Sequence, residues 1–239
     1  MRVSILITRL AVGCLAVISS VAVAQQASPL PHANTPTVNL RLKRELDSLY
    51  RVDQVYRAAM FADNKQHLVD SIAAALHLPA AEVPPRLLGL MLQTDSTDMQ
   101  RVRAIIQRHG YPGKTLVGTP ANEAAFYVIQ HSNSIPQYLP LIKQAADQGE
   151  LPFRLYAMML DRQLMHLGKP QIYGTQGLNY NGQPPFIWPI EDAAHVNERR
   201  KKAGFALSVE DNAQRMHIKY QVLTLEQVQQ LSGYQPPAR

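Results

Sequence analysis

The chain has one cysteine, Cys14, and it lies within an apolar N-terminal run. Once that run is cleaved away, no disulfide, thiolate nucleophile or thiolate ligand remains, so cysteine chemistry is excluded from the mature chain. No block of Lys and Arg in the sequence suggests nucleic acid as a partner. It has no internal repeat and no second apolar segment of membrane length, so no membrane contact is expected after cleavage. Four familiar motifs are missing: His-Glu-x-x-His, Gly-x-Ser-x-Gly, the phosphate-binding Gly-x-x-x-x-Gly-Lys and Gly-x-Gly-x-x-Gly. No cofactor is implied. A metal site assembled from His131, Asp161, Asp192 and His195 has no ligand spacing behind it.

What is present begins with a leader. Arg2 and Arg9 precede the apolar Leu10–Val21, and Ala22-Val23-Ala24 forms a small-x-small cleavage site. Residues 1–24 read as a signal peptide, which implies a periplasmic or secreted protein. An uncleaved anchor helix, and a lipoprotein signal at Ala11-Val12-Gly13-Cys14, rank below it. The leader carries two arginines and no acid, so its removal takes the formal charge from +6 to +4. Mild positive charge is compatible with a small anionic or polar ligand. Residues 25–37, with Pro29, Pro31 and Pro36, form a linker, and residues 38–239 have the length of one domain.

Within that domain the periodicity is helical. Leu42, Leu46, Leu49, Val52 or Asp53, and Tyr56 recur at three- and four-residue steps over Val38–Phe61. Asp53 and Arg57, four apart on one face, read as a solvent-side ion pair. A second helix is predicted over His67–Leu78. A third opens at Pro84-Pro85, and a fourth starts from a cap at Asp95 or Ser96 and is stopped by Gly110. Thr119 before Pro120 signals the next start, with Ala121, Ala124, Ala125, Val128 and His131 on one face. Further helices follow Ser134 and span Phe153–Leu167, Glu191–Ala203, Ser208–His217 and Thr224–Leu231. Ile172-Tyr173 and Phe186–Trp188 flank Asn181-Gly182 and predict a two-stranded hairpin, or an extended loop, near residues 171–189. The fold class is all-α with that one small β element.

Chemistry concentrates between Leu160 and Gly204. Asp161 lies on a helix that is apolar nearly all round, so its carboxylate needs donors. Arg162 suits bidentate recognition of a carboxylate or phosphate. His131, on an apolar face near a helix end, is the acid–base candidate, with Asp161 as its orienter and Gln130 beside it. Gln171, Tyr173 and Gln176 would orient a polar substrate, and Asp192 and Arg200 share a helix face nearby. Each also has a plain structural role: a satisfied core histidine, a capping or paired Asp, a surface ion pair, loop amides that satisfy buried backbone. The loop at Gln171–Gln176 has too little apolar content to stand alone. It should dock on a neighbouring helix in one hydrogen-bonded network with at least two of Asp161, Arg162, Asp192 and Arg200.

These residues, taken together, resemble a known family. The marks are Asp53-Gln54-x-x-Arg57, Gly110-Tyr111-Pro112, Gln130-His131, Asp161-Arg162, Gln171-x-Tyr173-Gly174-Thr175-Gln176, Pro189-Ile190-x-Asp192 and Asn197-x-Arg199-Arg200. They resemble an uncharacterised bacterial family catalogued as a domain of unknown function, over roughly residues 40 to 206. The resemblance brings no activity, but implies that the polar positions act together. Two functions follow as expectations. One is a metal-independent hydrolase of envelope-derived or peptide-like substrate, with His131 and Asp161 catalytic. The other is a ligand-binding or protein-interaction module without turnover.

Overall fold

Leucine spacing sets the first long contact of the fold. In α1 (Leu40–Phe61), Leu42 and Leu46 are buried against Ile105 of α3 (Val83–His109), and Asn39 accepts the Leu42 N–H at its N-terminus (3.0 Å). The computed structural model describes residues 37–61, 65–180, 182 and 184–232. The leader, most of the linker and Asn181 of the hairpin turn lie outside the described residues. Ten α-helices are described, and the described residues make up one unit, so the all-α expectation holds. Among the described residues no helix is long and apolar enough to cross a membrane.

α2 (Lys65–Leu76) folds back on α1 and on the start of α3, where Val69, Val83 and Leu87 form a small apolar cluster with Tyr56 and Met60. α3 corrects the sequence reading. It runs unbroken for 27 residues through Asp95-Ser96, where a new helix was expected to be capped. No Gly or Pro follows Gly89 within the helix, and the Asp95 carboxylate is drawn sideways to Arg57 on α1 (2.9 Å to each oxygen). Gly110, at φ 71°, ends the helix as expected.

After the short α4 (Lys114–Val117), a turn of 3-10 helix at Ala121–Glu123 leads into α5 (Ala124–Gln130). Pro120 occupies the pre-helical position, and no side chain caps it, so the expected Thr119 hydroxyl cap is not formed. The small residues Ala121, Ala124 and Ala125 are buried and admit α1 at close range. α6 (Ile135–Asp147) and α7 (Phe153–His166) complete the main core, in which Phe126, Ile129, Ile142, Leu155 and Met159 have no exposed surface. At about 1.5–3 kcal/mol for each large apolar side chain, these residues supply much of the drive for folding.

The remainder of the chain wraps this core. β1 (Gly177–Leu178) pairs antiparallel with β2 (Phe186–Ile187), in the register Gly177 to Ile187 and Leu178 to Phe186. The first strand therefore lies five residues after the Ile172-Tyr173 pair expected to form it. The reason is that the Ile172 and Tyr173 N–H groups go to the Asp161 carboxylate and cannot enter a ladder. α8 (Val196–Lys202) also begins later than expected, because Asp192 is left-handed (φ 49°) and a 3-10 turn at Ala193–His195 intervenes. α9 (Val209–Arg215) is capped by the Ser208 hydroxyl, which accepts from the Asp211 N–H (3.0 Å). Before α10 (Leu225–Ser232), Thr224 and Gln227 bond each other's backbone N–H in the anticipated capping box.

Gly174 couples the Gln171–Gln176 loop to α9. Its φ is +66°, and a Cβ there would stand 2.6 Å from Val209 Cγ2 and 2.9 Å from Ile190 Cδ1. Gly174→Ala is expected to destabilise the domain by about 2–4 kcal/mol, combining overpacking with left-handed strain. Urea denaturation would measure it, and an unchanged midpoint would show that the loop does not pack as described.

Candidate functional site

Asp161 has no solvent exposure, and five hydrogen bonds converge on its carboxylate. Oδ1 accepts the Ile172 and Tyr173 N–H groups (2.8 and 3.0 Å). Oδ2 accepts the Tyr173 N–H (3.2 Å), the Thr175 N–H (3.0 Å) and the Thr175 hydroxyl (2.9 Å). Burial pushes the carboxyl's pKa up, and these donors act against that rise. Gln171 performs the same task on the other side of the loop. It too has no exposed surface. Its amide donates to Gln176 O and Trp188 O (2.9 and 2.7 Å) and accepts the Gln176 N–H (2.9 Å).

Arginines close the loop from outside. Arg200, 2% exposed, donates to Tyr173 O (2.7 Å) and Leu207 O (2.9 Å) and lies over the Phe205 ring. Arg162 donates through Nε to Gln176 Oε1 and through Nη1 to Gln130 O, both at 3.2 Å. The expected network is thus present, and Asp161, Arg162 and Arg200 all touch the loop directly. Asp192 is exposed and joins only through Arg199, which donates to both Ile172 O (3.1 Å) and Asp192 (3.2 Å).

His131 has a different partner from the one expected. Its Nδ1 lies 3.0 Å from Asp53 Oδ1, while Asp161 is fully occupied by the loop. Asp53 is not the solvent-side residue its spacing suggested: it is 1% exposed. Gln54 donates to its other oxygen (2.6 Å), and Arg57 approaches within 3.5 Å. Burial pushes the Asp53 carboxyl up, but His131, Arg57 and Gln54 outweigh it and hold it below the ordinary carboxylate range. The signal for this lay in the sequence, since Asp53 falls on the same helical stripe as Leu46 and Leu49.

Asp95 and Asp98 of α3 extend the cluster; the sequence marks Asp95 only as a helix cap and does not mark Asp98. Asp95 holds Arg57, which so bridges α1 and α3. Asp98 is 7% exposed, and its Oδ2 has no partner among the described residues. Burial, with the neighbouring carboxylates of Asp53 and Asp95, pushes its pKa up to about 6. His131 also forms part of the wall of an open groove of about 440 Å³. Asp95, Ser96, Gln100, Ser132 and Asn133 line the same groove. Gln130 is buried just behind, with its Oε1 unpartnered, and Tyr173 stands half-buried near Phe205 with its phenol pKa raised by burial. Among the described residues no group of three His, Cys, Asp or Glu side chains is placed to hold a metal ion.

Two outcomes follow from these buried acids. Asp161→Asn sets an amide hydrogen against a nest of donors, and is expected to cost about 3–5 kcal/mol. Hydrogen exchange at Ile172, Tyr173 and Thr175 should quicken with it, and unchanged protection there would contradict the network. For Asp98, the native state keeps a proton between about pH 4 and pH 6 that the unfolded chain has released. Stability therefore falls as pH rises through this window. Asp53 acts oppositely and lower: its contribution is present above about pH 4 and is lost as pH falls. Asp98→Asn should flatten the pH 4–6 decline in denaturant titrations; an unaltered profile would show that Asp98 does not hold the proton.

No curated protein and no solved structure matches the chain. A family model does match, over residues 53–221, a span that opens at Asp53 and takes in the Arg57 bridge, His131, the Asp161 knot and the loop bound to it. The chain belongs to the family of unknown function DUF6624.

Proposed function

We propose that the protein is an exported hydrolase acting on a peptide-like or envelope-derived substrate, with His131 as its acid–base group. One observation carries this reading: a buried carboxylate, Asp53, grips Nδ1 of a histidine whose ring lines an open groove. The His131 side chain keeps 16% of its surface exposed, so solvent and ligand reach it. With the proton on Nδ1 facing Asp53, the lone pair of Nε2 is free, and no described residue occupies it. In this scheme Nε2 takes a proton from a water molecule as its oxygen adds to the substrate carbonyl. The same proton then passes to the departing amine as the carbon–nitrogen bond breaks. Asp53 stabilises the imidazolium formed between the two steps, and the Gln100, Ser96 and Asn133 side chains offer polar contacts along the groove. Asp161 takes no part in the proton transfer and serves to hold the loop.

A second reading, a binding module without turnover, is favoured by Ser132. Its hydroxyl donates to Ile129 O (2.8 Å), and so the serine nearest the histidine is not an activated nucleophile. Screening the full chain against peptide, amide and ester substrates separates the two. The hydrolase reading expects turnover that His131→Gln lowers about 100-fold or more, with the fold retained. Equal activity in wild type and His131→Gln would remove His131 from the chemistry. Ligand binding in the groove with no turnover on any substrate would establish the module.

A further inference from the structure

Two arginines near the site have no carboxylate partner among the described residues: Arg103, exposed on the wall of the groove, and Arg162, which is largely buried. Arg57 is paired with Asp95, and Arg199 with Asp192. Arg200 is enclosed by carbonyls and the Phe205 ring. Arg162 has no carboxylate partner among the described residues. Only its two 3.2 Å bonds, to Gln176 and to the Gln130 carbonyl, hold it in place. Of the five N–H donors of a guanidinium these use two, and the other three point to no described acceptor. The side chain is largely but not wholly buried, and the charged group that acts on it is a second cation, Arg57. A desolvated cation beside another cation is costly to hold, unless an anion comes to it. Its place is also informative: the carbonyl it binds belongs to the residue directly before His131. Behind that carbonyl, the buried Gln130 Oε1 lacks a donor.

We infer that Arg162 is the docking point for a single carboxylate on the substrate, so that the substrate is a peptide-like chain with a free carboxyl end close to the bond acted on. This rests on the hydrolase reading for the identity of the bond, though the anion site itself does not. The planar fork of Arg162 suits the two oxygens of a carboxylate. Asp53, Asp95 and Asp98 lie in the adjoining cluster, where a dianion would meet more repulsion than a monoanion.

The test compares N-acetyl-Ala-Ala, which ends in a carboxylate, with its C-terminal amide, each titrated calorimetrically into the full chain. Wild type should bind the acid at least about tenfold more tightly than the amide. Arg162→Gln should abolish that preference, and Arg162→Lys, which keeps the charge but not the fork, should restore part of it with the melting temperature held. Equal binding of acid and amide to wild type overturns the inference, as does a preference that survives Arg162→Gln. Inorganic phosphate competing as strongly as the acid overturns the choice of carboxylate. The two readings fail separately. Arg162-dependent acid binding without turnover leaves the carboxylate site standing and removes the hydrolase. Turnover that depends on His131, with an acid preference indifferent to Arg162, does the reverse.

Discussion

The arrangement of the C-terminal half depends on one buried carboxylate. Asp161 projects from a helix in the main core and gathers the backbone N–H groups of the loop that follows. Without this acceptor, three amides would lie against apolar side chains with no partner, at about 1–3 kcal/mol each. Because the acceptor is there, the chain can turn sharply, place Gln171 and Gln176 inward, and present the carbonyls of Tyr173 and Gly174 to Arg200. The loop has little hydrophobic content of its own, and its shape is set by polar groups satisfied one by one.

A second polar assembly lies across α1, α3 and the end of α5. Its logic is electrostatic and not structural in the same sense. Asp161 receives donors alone, whereas the group around Asp53 mixes three carboxylates with Arg57 and His131 and leaves Asp98 Oδ2 without a partner. An incompletely satisfied cluster beside an open groove is what distinguishes a site from a brace. The two assemblies meet at Arg162, which touches the loop through Gln176 and the helix before His131 through Gln130.

Much of this was legible in the sequence, and what was not has identifiable causes. A carboxylate in the apolar run Leu155–Met165 had to be buried and had to find donors, and the polar loop after a short turn was the available source. Most helices followed from periodicity, apart from the two expected in place of α3 and the short α4, and Gly110 and Gly204 lie at helix ends with positive φ. The hairpin was displaced because a tertiary acceptor claimed the amides of the first proposed strand. The expected break at Asp95 was overridden when a distant arginine competed for the carboxylate that would have capped it. Asp53 was misjudged for another reason. An Asp and an Arg four residues apart share a helix face, but spacing alone does not say whether that face looks inward. The partner that settles it, His131, is 78 residues away.

The bridge between α1 and α3 has a mechanical side. On one side of Asp53, Arg57, Asp95 and Asp98 lies the small cluster of Val69, Val83 and Leu87; on the other lie the larger clusters containing Leu46, Val102 and Phe126. The two long helices run through both, so a hydrophilic belt divides an otherwise continuous apolar seam. Apolar contacts propagate cooperativity, and a charged layer interrupts it. The α2 end and the main core are therefore expected to behave as two cooperative units, tied together across the belt by the ion pair of Arg57 with Asp95.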